Sequence, residues 1–138
     1  MKTTRLILYP LLILGIACLA VPVPAAAQET TGPTIDTGVI CTSVEDRAPV
    51  GADSTFAKTV GTLCCFTKIT GVTGESSITH VWYWGETERA RVELPVRSVS
   101  WRTYSQKAIM EHEVGAWRVE ILDAEGAVLK TLRFTIEP

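Results

Sequence analysis

The chain has 138 residues, 46% of them hydrophobic, and its 13 basic and 15 acidic side chains leave a formal charge of −2. That length holds one domain, or one domain with a targeting segment. The composition excludes a disordered polyelectrolyte, the lack of a basic excess argues against nucleic acid as a partner, and the absence of internal repeats excludes a solenoid or propeller.

In chain order, Lys2 and Arg5 form a short positive region, Leu6 to Leu19 is almost wholly apolar, and Ala25-Ala26-Ala27 places small residues just before Gln28. This is the three-part pattern of a secretory signal peptide cleaved after Ala27. The apolar run is too short, and too broken by Pro10, Pro22 and Pro24, to be read as a membrane span. Cys18, preceded by Leu14-Gly15-Ile16-Ala17, raises the alternative of a lipid-modified cysteine, although Gly15 stands where a leucine is usual. A membrane enters this reading only if Cys18 is lipidated or the signal stays uncleaved. Removing 27 residues from 138 leaves 111, and losing Lys2 and Arg5 takes the formal charge from −2 to −4.

Residues 28–37, QETTGPTIDT, are polar around Gly32-Pro33 and read as a flexible leader. From Gly38 to Pro138, short β-rich runs alternate with turn residues, and helical periodicity is nowhere sustained. Seven strands are expected: Val39–Val44, Val60–Ile69, Ser77–Trp84, Arg89–Val96, Ser100–Ser105, Trp117–Leu122 and Val128–Ile136. Pro95 marks a strand end or edge. Asp123-Ala124-Glu125-Gly126 reads as a four-residue hairpin loop with Gly126 left-handed.

Alternation supports these assignments. Ala90, Val92 and Leu94 alternate with Arg91 and Glu93; Trp117, Val119 and Ile121 with Arg118 and Glu120; Leu132, Phe134 and Ile136 with Arg133 and Thr135. Each run has one apolar and one polar face, as antiparallel sheets require. The pattern predicts an all-β, immunoglobulin-like antiparallel β-sandwich of about seven strands, with a small β-barrel as the alternative. The third strand is apolar on both faces: Ile78, His80, Trp82 and Trp84 on one, Val81 and Tyr83 on the other. It is either central and covered twice, or half of a binding surface.

After signal removal, Cys41, Cys64 and Cys65 remain. An oxidising compartment favours a disulfide, and Cys65 shares its face with Leu63 and Ile69, so the expected bridge is Cys41–Cys65. Closing about 25 residues in this way stabilises by roughly 3.5 kcal/mol in the chain-entropy model. Cys64 is then a quiet buried thiol, with intermolecular pairing or redox sensitivity as the alternatives. The cysteines with His80 and His112 match no familiar zinc spacing, so neither metal nor cofactor is expected.

All four tryptophans lie between His80 and Arg118, and Arg89 to Lys107 holds five basic residues against Glu93 alone. Residues 28–56 have the opposite bias, with Glu29, Asp36, Glu45, Asp46 and Asp53 against Arg47. The basic stripe either pairs with that acidic half or stays free. Trp82 and Trp117 read as core aromatics. Trp101 is either core, with Arg102 in a salt bridge, or part of an exposed platform with Tyr104, Arg102 and Lys107. Aromatic faces stack on sugars and cations, and guanidinium forks grip carboxylate or phosphate. The ligand-binding candidates are therefore Arg91, Trp101, Arg102, Tyr104 and Lys107, with His80 a lesser one. His80 and Ser105 sit in no familiar catalytic motif, and no catalytic residue is assigned.

The order of His80-x-Trp82-Tyr83, Arg91-Val92-Glu93-Leu94-Pro95-Val96, Trp101-Arg102-Thr103-x-Ser105 with Lys107, Gly115-x-Trp117-Arg118-Val119, Asp123-Ala124-x-Gly126 and Phe134-Thr135 resembles the bacterial exported family known as domain of unknown function 2914. Cys41 to Pro49 and Cys65-Phe66-Thr67 also fit, so the resemblance covers about residues 39–137. Cys64 beside Cys65, and Tyr104 where tryptophan is common, depart from the pattern. The resemblance implies an exported domain of this extent and brings no mechanism. The expectation is a non-enzymatic binding or interaction domain of the periplasm or cell envelope, its partner an envelope protein or an anionic envelope polymer. The alternatives are a structural scaffold subunit, or a hydrolase using His80.

Overall fold

The computed structural model describes residues 32–138. The expected signal peptide, Cys18 and the first residues of the expected leader lie outside the described residues. The described chain is all-β: β1 (Thr34–Cys41), β2 (Ser43–Glu45), β3 (Ala48–Val50), β4 (Thr55–Ala57), β5 (Thr62–Thr70), β6 (Ser76–Trp84), β7 (Thr87–Val96), β8 (Ser100–Ala108), β9 (Gly115–Leu122) and β10 (Val128–Glu137). β1-β5-β8 form one sheet, β4-β10-β9-β6-β7 a second, and β2-β3 a small ribbon. The chain crosses between the two larger sheets on the way from β1 to β4 and again at β4–β5, β5–β6, β7–β8 and β8–β9, the Greek-key path of an immunoglobulin-like sandwich. Neither sheet closes into a barrel.

The seven expected strands are the seven long ones, with shifted ends. The first splits at Thr42, whose N–H leaves the main sheet to reach the Val50 carbonyl. That break starts the β2–β3 ribbon. β1 also begins at Thr34, inside the segment read as a flexible leader. Ile35 packs against the core there, which gives the strand a reason to start before Gly38. The sandwich is not wholly antiparallel, since β4 runs parallel to β10 with Phe56 opposite Ile136. Gly126 is left-handed, with φ of 85°, and Asp123 Oδ1 accepts the Glu125 and Ala127 N–H groups to hold the loop.

Between the sheets, Ile40, Leu63, Cys65, Trp82, Trp117, Val119, Phe134 and Ile136 form one buried cluster. Phe134 lies edge-on to Trp82, at 6.2 Å between centroids, and stacks on Trp117 at 5.8 Å. β6 is central in its sheet, between β9 and β7. Its outer face is covered laterally, with the Arg118 guanidinium 4.1 Å above the Tyr83 ring. The double apolar pattern of this strand reflects a central position.

β5 is also covered on both faces. Leu63, Cys65 and Ile69 face the sandwich. Cys64 and Phe66 point the other way and are buried with Cys41 against Val39 and Val44 of β1 and the ribbon. This overturns the expected Cys41–Cys65 bridge. Cys41 lies opposite Cys64 in the β1–β5 register, Cys65 lies opposite Ile40, and side chains alternate faces along a strand. Cys41 and Cys65 therefore point to opposite sides of the same sheet, and all three thiols are free.

Candidate functional site

β8 is the edge of its sheet and reads Ser-Trp-Arg-Thr-Tyr-Ser-Gln-Lys-Ala, so alternation sends Arg102, Tyr104 and Gln106 outward. Opposite them on β5 stand Lys68, Phe66 and Cys64. The β2–β3 ribbon folds over this outer face, anchored by Val44 in the Phe66 cluster. Between ribbon and strand runs a groove of about 700 Å³, lined by Val44, Arg47, Phe66, Ser98, Ser100, Trp101, Arg102, Thr103 and Tyr104.

Phe66 supplies the buried floor, and Tyr104 is 44% exposed. Among the described residues, neither Arg47 nor Arg102 has a carboxylate within 4.0 Å, whereas the nearby Lys68 is held by Asp36 at 3.4 Å. Two guanidiniums with no ion-pair partner among the described residues thus share a groove with an open phenol ring. Such forks match carboxylate or phosphate.

Arg47 occupies an unusual backbone position. It and Asp46 are the two-residue turn joining β2 to β3, and both have positive φ, 60° and 48°. Turns of this kind favour Asn-Gly or Asp-Gly. A long side chain at the second position is held at a steric cost of roughly 1 kcal/mol.

The sequence candidates divide accordingly. Trp101, Arg102 and Tyr104 meet in the groove. Trp101 also packs against the cluster of Ile69, Val72, Ile78, Val96 and Ile121, so it is partly a core residue. Lys107 lies on the other face of β8, its Nζ donating to the Ala108 carbonyl at 2.6 Å. Arg91 is on β7 in the other sheet and pairs with Glu88 at 2.7 Å. Arg47 escaped the sequence reading because it is the lone base of an acidic segment. The available signal was a hairpin turn with arginine where glycine is usual.

His80 lies elsewhere, fully buried between the sheets. Its Nδ1 is 2.7 Å from Ser105 Oγ and its Nε2 3.2 Å from Thr67 Oγ1. Thr67 donates its one hydroxyl hydrogen to the Thr103 carbonyl, and Trp82 Nε1 donates to Ser105 Oγ at 3.1 Å. These bonds assign the tautomer: Nε2–H donates to Thr67, and Nδ1 accepts from Ser105. Burial lowers the His80 pKa to about 4, so the ring is neutral. The pair resembles a nucleophile and its base. Yet Ser105 is 4% exposed, its oxygen already accepts the Trp82 N–H, and no carboxylate orients the ring. The arrangement holds the two sheets together.

A second polar group sits at the loop between β8 and β9. Glu113 is fully buried; its Oε1 accepts the Met110 N–H at 2.9 Å, and its backbone carbonyl accepts from Trp117 Nε1. Arg89 Nη2 lies 2.9 Å from Oε2, but off the line of a hydrogen bond, so the contact is an ion pair. The same guanidinium lies 5.8 Å from the centre of the Trp84 ring.

No curated protein matches the chain. Residues 75–136, which span β6 to β9 and most of β10, match the family described as "Protein of unknown function (DUF2914)". The matched segment carries the β8 wall of the groove, with Ser98, Ser100, Trp101, Arg102, Thr103 and Tyr104, together with His80, Ser105 and Glu113. The Arg47 hairpin and the three described cysteines precede it. The motifs of β6 to β10 and this match agree: residues 75–136 are similar to the DUF2914 family.

Proposed function

We propose that the protein is an exported, non-enzymatic binding module of the bacterial cell envelope that holds an anionic polymer in the groove between the β2–β3 ribbon and β8. The observation that carries this reading is the pair Arg47 and Arg102, without acidic partners among the described residues, lining one groove with the exposed Tyr104. An acidic sugar unit suits that chemistry, with its ring against the phenol face and its carboxylate or phosphate between the guanidiniums. The non-enzymatic reading rests on the serine–histidine pair being closed off and fully hydrogen-bonded. Export rests on the tripartite pattern of residues 1–27, and lipidation of Cys18 would tether the same module to a membrane.

The test is retention of an immobilised polyuronate, with a neutral polysaccharide as control. The expected result is retention released by salt and weakened about tenfold or more by Arg102→Ala or Arg47→Ala, with Lys107→Ala unchanged. Equal retention of the neutral polymer, or indifference to both arginines, overturns the reading. Capture of an envelope protein regardless of those residues would favour a scaffold. The mass of the chain recovered from an exporting host tests the address: Gln28 is the expected first residue.

A further inference from the structure

Three buried thiols lie together on β1 and β5, and the groove uses none of them. We propose that Cys41 and Cys64 are a disulfide site that staples β1 to β5 beneath the β2–β3 ribbon, leaving Cys65 as a thiol in the core. Directly opposed residues of an antiparallel pair have Cα atoms about 4.5 or about 5.5 Å apart. Both separations fall in the roughly 4.4–6.8 Å range of a disulfide. Cys41 and Cys64 are such a pair and share one hydrophobic cluster. Each sulfur already approaches the other strand: Cys41 Sγ is 3.7 Å from the Cys64 carbonyl, and Cys64 Sγ is 4.0 Å from that of Thr42.

Cys65 is the residue left over, because it faces the opposite side of the sheet among Leu63, Trp82 and Trp117. β9, across that core, offers no cysteine for an inter-sheet bridge.

The oxidant is a small disulfide such as oxidised glutathione. One thiolate attacks it, forming a mixed disulfide and releasing one thiol. The second cysteine then attacks the protein sulfur of that mixed disulfide and expels the second thiol. Two protein thiols become one S–S bond while one small disulfide becomes two thiols. Burial raises the Cys41 thiol to about 11 and the Cys64 thiol above its ordinary value, so exchange in the closed fold is slow. The bond forms before the short ribbon closes, or when it opens, since a two-stranded ribbon alone is marginally stable.

The experiment is oxidation of the full chain with oxidised glutathione during refolding, followed by non-reducing mass spectrometry and thermal melting. The expected result is a linkage from Cys41 whose fragment ions place it on Cys64. The same linkage should survive in Cys65→Ala and vanish in Cys64→Ala. The oxidised chain should melt on the order of 10 °C above the reduced chain. A linkage that survives Cys64→Ala, fragment ions on Cys65, or Cys41 and Cys64 both still free thiols after complete oxidant treatment overturns the proposal. Should Cys64→Ala fail to fold, the fragment ions of the unsubstituted chain decide alone.

Discussion

The two polar regions on either side of the β1-β5-β8 sheet are built on opposite principles. Inside, His80, Ser105, Thr67 and Trp82 are joined by three hydrogen bonds, and a fourth runs from Thr67 to the Thr103 carbonyl. Outside, Arg47, Arg102 and Tyr104 line a groove, and neither guanidinium has a carboxylate partner among the described residues. A buried polar group left without a partner costs about 1–3 kcal/mol, so the inner cluster has to be closed. An exposed guanidinium is satisfied by water, so the outer cluster can wait for a ligand. The same strand, β8, supplies both sets through simple alternation: Ser105 inward, Arg102 and Tyr104 outward. The comparison teaches that a serine–histidine contact on the inner face can serve as architecture, while the surface proposed to bind lies one residue away.

The comparison can be broken from the inside first. His80→Ala strands Thr67 and Ser105 and leaves a cavity, for an expected loss of about 3–4 kcal/mol in urea denaturation. Acid acts on the same residue. Unfolded, His80 takes up its proton near pH 6.5; folded, it does so only near pH 4. Stability from this residue is unaffected above pH 6.5 and falls as pH drops towards 4, by about 3 kcal/mol in all. Subtracting the pH profile of His80→Gln from that of the unsubstituted protein isolates the effect; identical slopes between pH 4 and 6.5 would show that His80 is not neutral in the fold. Arg89→Ala strips the ion-pair partner from fully buried Glu113. The half-exposed guanidinium can be partly replaced by water, so about 2 kcal/mol is expected, below the loss for a pair closed on both sides.

The outer cluster should respond in the other sense. Arg102→Ala should change stability by less than about 0.5 kcal/mol while weakening binding of the polyuronate, which separates site from scaffold in one protein. The last substitution is the most discriminating. Arg47→Gly relaxes a left-handed residue and should raise stability by up to about 1 kcal/mol, yet reduce ligand retention. A variant that is less stable would mean that Arg47 supports the hairpin rather than the ligand.

Much of the fold was legible because its signals are local. Alternation in Arg89–Val96, Trp117–Leu122 and Val128–Ile136 assigned inner and outer faces that the structure repeats. The short strands β2, β3 and β4 were not legible, since three residues cannot establish a period. The cysteine pairing failed for a related reason. Adjacent cysteines on one strand differ only by face, and the face that meets Cys41 depends on register. Leu63 and Ile69 correctly placed Cys65 inside the sandwich; what the sequence concealed is that Cys41 points outside, under a ribbon that buries the outer face. Half of the groove was readable from Trp101-Arg102-Thr103-Tyr104. Arg47 was not, because it comes from a hairpin more than 50 residues earlier in the chain and is brought near only by tertiary folding.

The pairing of β5 with β8 has a kinetic consequence. Thr67 meets Thr103 across a sequence separation of 36, with β6 and β7 passing through the other sheet in between. Loop closure on that scale precedes any reward from the contacts it makes, which places all-β sandwiches among the slower single domains, at milliseconds to seconds. The floor of the groove is therefore completed late, after the local β6–β7 and β9–β10 hairpins have formed. Until β8 docks, β5 offers a long apolar edge to any neighbouring chain. Refolding yield should fall with protein concentration while the finished domain remains monodisperse.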